Sequence, residues 1–150
     1  MLKHAVPKQL DEIYKKIYQN KEWFPNTRKD YIGRMIEKGN VVYDNGILIV
    51  YKEYKRRSKI GTDCDCVAQK GDVKLHQILN TEPGSGKAGK ILKKFLEMVS
   101  SNVWLTVDEE NEHAIKFYEK NGFEKAGKIN WSDGPGFIYY YENGGAKLYF

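Results

Sequence analysis

The stretch TEPGSGKAGKIL, Thr81 to Leu92, gathers the residue types that hold phosphate. Gly84, Gly86 and Gly89 satisfy the dinucleotide fingerprint G-x-G-x-x-G, and Gly84, Gly89 and Lys90 satisfy the nucleotide P-loop apart from its final Ser or Thr. A glycine-rich turn that opens a helix suits phosphate because the first amides of a helix lack intrahelical acceptors and its dipole puts partial positive charge there. Glycine removes the Cβ that would hold the ligand away. Ser85, Lys87 and Ala88 complete the turn, and Lys87 and Lys90 add positive charge.

The surrounding residues argue against two phosphate chemistries. Ile91 stands where a P-loop needs a hydroxyl for magnesium, so the motif loses its mechanism. Asp108 lies about where a dinucleotide fold keeps its ribose-binding acid, but that fold also needs a run of further parallel strands. Only 61 residues follow Gly89, and the last of them read as a Tyr-rich hairpin. Asn80 to Pro83 also loosen a turn that a dinucleotide fold keeps tight.

The elements that must carry this turn follow from periodicity and punctuation. Pro7 opens an amphipathic helix over residues 7–20 with Leu10, Ile13, Tyr14, Ile17 and Tyr18 at helical spacing. Thr27 is placed to cap a second helix carrying Tyr31, Ile32, Met35 and Ile36, which Gly39 ends. VVYDNGILIVYKEYKRR is a hairpin turning at Asn45-Gly46, the type I′ pair. Residues 56–70 read as a loop, and DVKLHQIL as a third strand leading into the glycine turn. A helix over residues 86–100, the strand VWLTV, a helix capped by Asp108 and stopped by Gly122, and the strands FEKAGKINW and GFIYYYE complete the order.

At 150 residues the chain suits one single-core domain spanning 1–150. Its 41% hydrophobic and 30% charged content is that of a folded globular protein. No apolar run approaches the roughly 20 residues that span a bilayer, and the start lacks the apolar core of a secretory signal, so a cytoplasmic protein without membrane contact is predicted. A net charge of +5 favours a polyanionic ligand. Cys64 and Cys66 are too few for a disulfide framework or a structural zinc site, and they are expected to be free thiols with no metal bound. The five basic residues of YKEYKRRSK fit a solvated edge strand better than a nucleic-acid contact.

LTVDEENEHAIKFYEKNGFEKAG, Leu105 to Gly127, closely resembles the second signature of the GNAT acyltransferase superfamily, with Val107, Asn111, Ala114, Phe117, Tyr118, Gly122 and Phe123 in register. The family's Gln/Arg-x-x-Gly-x-Gly/Ala signature falls at Pro83, Gly86 and Ala88, with Pro83 replacing the usual polar residue. The likeness is to a small bacterial or phage-type member and covers about residues 40–142; the family's first strand is absent or reduced to LKHAV. The resemblance implies an α/β (α+β) fold whose mostly antiparallel mixed sheet, flanked by helices, has two splayed central parallel strands, Val73 to Leu79 and Val103 to Val107. It implies acetyl-CoA as cofactor, with pyrophosphate on the amides of Gly84 to Gly89 and further contacts from Ile78, Leu79, Asn111, Ala114 and Phe117.

The activity so implied is N-acetyl transfer to an amine acceptor, small molecule or protein, by direct attack in a ternary complex of a monomer or homodimer. A primary amine is neutral in only about one molecule in 2,500 at pH 7, so a base or a desolvated channel must take its proton. Tyr118 matches the family's general acid. The strand before the glycine turn lacks the family's Glu and offers Lys74 and His76; His76 has the better ordinary pKa for a base, and a water-mediated base is the alternative. Trp23, Phe24, Trp131 and Phe137 are the candidate walls of the acceptor site. Two other implied roles are nucleic-acid modification and a CoA-binding module without activity.

Overall fold

Asn45 and Gly46 both take left-handed φ values, 51° and 78°, which is the type I′ turn that matches the twist of a two-stranded ribbon. The turn joins β1 (Val41–Asp44) to β2 (Ile47–Glu53) in antiparallel register, Val41 opposite Val50. The computed structural model describes residues 1–22, 24, 26–61, 64–82, 84, 86–131 and 134–143. A 3-10 turn at Pro7–Gln9 leads into α1 (Leu10–Gln19), and α2 (Lys29–Glu37) follows. After the first hairpin come β3 (Ser58–Lys59), β4 (Val67–Ala68), β5 (Val73–Asn80), α3 (Lys87–Val99), β6 (Val103–Asp108), α4 (Glu112–Lys120), β7 (Glu124–Trp131) and β8 (Gly134–Tyr141). Six strands form a sheet in the order β1-β2-β5-β6-β8-β7, and β3 pairs with β4 in a small separate sheet. β5 and β6 are parallel, whereas β1-β2, β6-β8 and β7-β8 are antiparallel.

The chain divides into two compact units, Met1–Tyr51 with Gln77–Ile91, and Lys52–His76 with Leu92–Phe150. In the first, Ile13 and Ile17 of α1 and Ile32, Met35 and Ile36 of α2 pack on Val41, Leu48, Val50 and Leu79 of the strands. The helical period of these residues is thereby turned into one apolar layer. α2 ends in a Schellman motif, with Asn40 N–H on Met35 O at 2.9 Å and Gly39 N–H on Ile36 O at 3.0 Å. LKHAV contributes an isolated bridge, His4 to Val42, flanked by Ala5 N–H on Val41 O and Tyr43 N–H on Lys3 O. LKHAV thus forms a single bridge and not a strand.

In the second unit, Trp104 and Ile138 on one face of β6 and β8 pack with Ile60, Cys66 and Ala68 of the small β3–β4 hairpin. The buried carboxyl of Asp72 accepts Trp104 Nε1–H at 3.0 Å and Gln69 N–H at 2.9 Å, tying the end of that hairpin to β6. On the alternate face Tyr139 donates its hydroxyl to Glu119 of α4 at 2.8 Å. Gly122 adopts φ +92°, a conformation that disfavours any side chain, and lets Phe123 N–H reach Tyr118 O at 3.0 Å in a second Schellman motif. The Phe123 ring then lies 5.6 Å from the Tyr118 ring. The helix stop and the burial of Tyr118 are one event.

Four expectations change. Arg28, not Thr27, occupies the cap position of α2 and makes no side-chain cap bond, while Thr27 Oγ1 accepts Gln77 Nε2–H at 2.6 Å. Asp108 closes β6 and accepts Glu110 N–H at 2.8 Å, and the α4 cap is Asn111, whose Oδ1 accepts Ala114 N–H at 3.2 Å. Residues 56–70 contain β3 and β4 and are not a plain loop. The basic run starts at the end of β2, an interior strand of the six-stranded sheet, and reaches β3, one edge of the two-stranded sheet, so only its last residues lie on an edge.

Trp104→Phe should therefore cost about 1–3 kcal/mol in urea denaturation, because the buried Asp72 carboxyl loses its indole donor. Gly127→Ala should cost a similar amount, since an added Cβ would sit 2.8 Å from both Cβ and Sγ of Cys64. Wild-type midpoints for both variants would refute this account of the hairpin's anchoring.

Candidate functional site

The glycine turn lies in the first unit, between β5 and α3. Gly84 and Gly86 take φ +85° and +73°, and an added Cβ at either would meet nothing within 4 Å, so the backbone presents an open surface. The first turn of α3 holds no acidic residue of its own that would oppose an anion at its positive dipole end. Lys87, Ala88 and Gly89 are partly exposed and Lys90 is exposed. Lys87 Nζ lies 3.6 Å from Glu82 Oε1, an exposed ion pair that a bound phosphate would compete with. The turn is held to the first hairpin by Thr81, whose N–H and hydroxyl both reach Gly46 O, at 2.9 and 2.6 Å.

Ile78 and Leu79 stand on β5 in the same unit, and Leu79 is turned into the apolar layer under α1 and α2. Phe24 packs against that layer as a half-buried ring. Ser85, Pro83 and Trp23 lie outside the described residues, as does the side chain of Trp131, whose backbone forms the end of β7.

The second unit holds the remaining candidates. Tyr118 is 8% exposed on α4 between the rings of Phe117, 5.7 Å away, and Phe123. Among the described residues its hydroxyl has no hydrogen-bond partner, and burial pushes its pKa well above the ordinary value, so the phenol keeps its proton. Asn111 and Ala114 are joined by the helix cap, which occupies the Asn111 side-chain oxygen. Phe137 lies under Lys125, whose Nζ is 3.9 Å from the ring centroid, so one ring face is already covered by a cation.

His76 sits half-buried on β5 with its pKa lowered to about 4, first by burial and then by the charges of Lys74 and Lys52. Such an imidazole is neutral at pH 7 and a weak base, far from the pKa of about 10.4 of a primary ammonium. That environment argues against His76 as the proton acceptor. Lys74 is lowered by the same causes, burial first and Lys52 second. Within this unit the parallel pairing of β5 with β6 runs through Val73 to Val103 and Lys74 to Trp104; among the described residues it does not extend to Leu75 or His76.

No protein-family model and no curated protein matches the sequence. Solved structures do match over nearly the whole chain. A GNAT-family acetyltransferase from Streptococcus agalactiae aligns with a TM-score of 0.76 at 16% identity, covering 95% of this chain and 94% of that one. The chain has the GNAT acetyltransferase fold. A spermidine N-acetyltransferase chimera from Vibrio cholerae and hSSAT aligns at TM-score 0.60 and 19% identity, covering 94% of both chains. The NatC complex bound to Gag peptide and CoA aligns at TM-score 0.59 and 15% identity, covering 77% of this chain and 80% of that one.

Placed on the GNAT fold, the mixed sheet with one parallel pair and the helix carrying Tyr118 agree with the expected architecture. Among the described residues no helix is long and apolar enough to cross a membrane, and no group of three or more His, Cys, Asp or Glu could hold a metal ion. Sequence reasoning took Lys52 only as one of the five basic residues of YKEYKRRSK and did not join it to Lys74 and His76, whose pKa values its charge lowers. The alternation Lys74-x-His76 on a strand carried half of that signal, and the other half depends on which strand lies beside it.

Because the folded pKa of His76 lies below its ordinary value of 6.5, the unfolded chain takes up the proton first. Its contribution to stability is therefore complete above pH 6.5 and is lost as pH falls toward 4. An imidazole resonance of His76 should titrate near 4 by NMR. His76→Gln should flatten that part of the stability profile, and a midpoint above 6 would refute the assigned environment.

Proposed function

We propose that the protein is an acetyl-CoA-dependent N-acetyltransferase that moves an acetyl group to an amine by direct attack, with Tyr118 as the acid. The observation that carries this reading is the exposed turn of Gly84 and Gly86, whose backbone opens toward the acid-free start of α3. A cofactor pyrophosphate fits that turn, since neither glycine position is filled and Lys87 and Lys90 supply charge beside it. The amides from Gly84 to Gly89 would hold the diphosphate, with backbone groups near Ile78 and Leu79 continuing the contact. When bound, acetyl-CoA supplies the activated thioester acetyl group. The fold's solved examples, which include a spermidine N-acetyltransferase chimera and the NatC complex bound to Gag peptide and CoA, support acetyl transfer as the general chemistry and leave the acceptor open.

Tyr118 keeps its proton through burial and has no partner among the described residues, so its Oη–H is available to the departing sulfur. A buried phenol normally finds a partner for its hydroxyl, and a cofactor atom is the natural one here. The ammonium proton of the acceptor passes to solvent in this scheme, because His76 is too weak a base to take it. A backbone amide near Ile78 is the candidate donor to the developing oxyanion.

Isothermal titration with CoA should give a binding isotherm for the wild type that Gly86→Glu abolishes, with folding of the variant checked by urea denaturation. Tyr118→Phe should lower kcat by roughly 100-fold or more while leaving CoA affinity within about twofold. No heat from CoA with the wild type would sink the transferase reading. Unchanged turnover in Tyr118→Phe would remove the acid.

A further inference from the structure

Cys64 and Cys66 are the chain's two cysteines, and both lie in the second compact unit just before β4, as free thiols. Their sulfurs converge on one spot. The point where a Cβ of Gly127 would stand is 2.8 Å from Cys64 Sγ and 3.1 Å from Cys66 Sγ, so both sulfurs lie against the same bare Cα of β7. The register of β7 on β8 shifts between Lys125 and Gly127, leaving Ala126 as the extra residue of a bulge. Cys66 donates its thiol to Ala126 O at 3.5 Å, and Cys64 donates to Ile60 O at 3.6 Å. Glycine and bulge together leave room for two sulfurs side by side.

The two thiols differ in access. Cys66 is 6% exposed and packs with Ile60, Ala68, Trp104 and Ile138, whereas Cys64 is half-buried at the rim of that cluster. Burial first, and the neighbouring Cys64 sulfur second, push the Cys66 thiol pKa up, so it keeps its proton. A reagent can therefore reach Cys64, and Cys66 is placed to react only with its neighbour. The hydrogen bonds that both thiols would give up on oxidation are weak ones.

We infer that Cys64 and Cys66 form a redox site that closes to an intramolecular disulfide, with a low-molecular-weight disulfide as the oxidant. The Cys64 thiol gives its proton to solvent and its sulfur attacks one sulfur of the reagent. The reagent's S–S bond breaks, and one reagent thiolate leaves and takes up a proton. The Cys66 sulfur then attacks Cys64 Sγ, the mixed disulfide breaks, and the Cys66 proton goes to the second departing thiolate. Two protein thiols are thereby oxidised by two electrons, and one reagent disulfide is reduced to two thiols. A bridge between residues two apart closes a tight ring, and strained bridges are the readily reduced ones, so the site is reversible. It is independent of the acetyltransferase reading.

The test equilibrates the reduced full chain, without oxygen, in mixtures of glutathione and glutathione disulfide, followed by acid quenching, alkylation and mass measurement. The wild type should pass from two alkylated thiols to none in one two-electron step, with no glutathione retained and no dimer formed. The equilibrium constant for closure should be roughly tenfold or more higher in the folded chain than in the chain held unfolded in urea, because the fold brings the sulfurs together. Two thiols that persist in glutathione disulfide alone overturn the inference. So does a constant no higher folded than unfolded, or an end state that is a glutathione adduct or a cross-linked dimer.

Single variants, each shown to be folded by its urea midpoint, assign the order. Cys66→Ser should retain one glutathione on Cys64, whereas Cys64→Ser should react roughly tenfold or more slowly because its remaining thiol is buried. Faster modification of Cys64→Ser than of Cys66→Ser would overturn Cys64 as the attacking thiol.

Discussion

The buried carboxyl of Asp72 is the constraint on which the second unit depends. It sits at the head of β5 and accepts both the indole N–H of Trp104 and the amide of Gln69. A buried carboxyl without such donors is costly, so the two bonds fix three things together: the close of the β3–β4 hairpin, the rotamer of Trp104 and the starting point of β5. The adjoining parallel register, Val73 opposite Val103 and Lys74 opposite Trp104, begins there. Every residue further along this part of β5, including His76, takes its face of the sheet from that start. The Trp104 ring then packs at a tilt against that of Tyr140, 4.4 Å between centroids, which carries the same constraint on to β8.

The first unit solves a different problem, which is to present bare backbone without losing its position. Glycines at left-handed φ give the turn its openness, and openness alone would leave it loose. Thr81 answers with two bonds to the hairpin turn at Gly46, just before the glycines begin. Gln77 makes the equivalent tie on the other side, to Thr27 between α1 and α2, and the Tyr14 hydroxyl reaches the Thr27 carbonyl at 3.3 Å. The polar residues that flank the glycines are thus occupied in fixing the turn, and the glycines are left free to meet a ligand.

Much of this was legible in the sequence, and the exceptions have separate causes. Helices with strong apolar periodicity, the Asn45-Gly46 hairpin and both glycine stops lie where the residues predicted, because each is decided within a few positions of the chain. Thr27 was misjudged as a cap because its partner, Gln77, lies 50 residues away, whereas Asp108 bonds locally to Glu110 N–H and the cap falls to Asn111, an equally good local candidate three positions on. β3 and β4 are two residues each, too short to show alternation, and exist because Ile60, Cys66 and Ala68 cover Trp104 and Ile138. The glycine turn and Tyr118 were readable from local motifs.

Burial acts on the two catalytic candidates with one sign and opposite consequences. Desolvation favours the neutral form of any titratable group, so it raises the phenol of Tyr118 and lowers the imidazole of His76. A phenol held neutral is a proton donor that does not ionise before it is needed. An imidazole held neutral by a low pKa cannot keep a proton it is given, and the two lysines beside it lower that pKa further. Burial therefore leaves the phenol of Tyr118 holding its proton and the imidazole of His76 too weakly basic to hold one. Which of two chemically reasonable residues can serve is decided by the low-dielectric surroundings the fold builds around each, and those surroundings appear only when strands and helices distant in the chain are brought together.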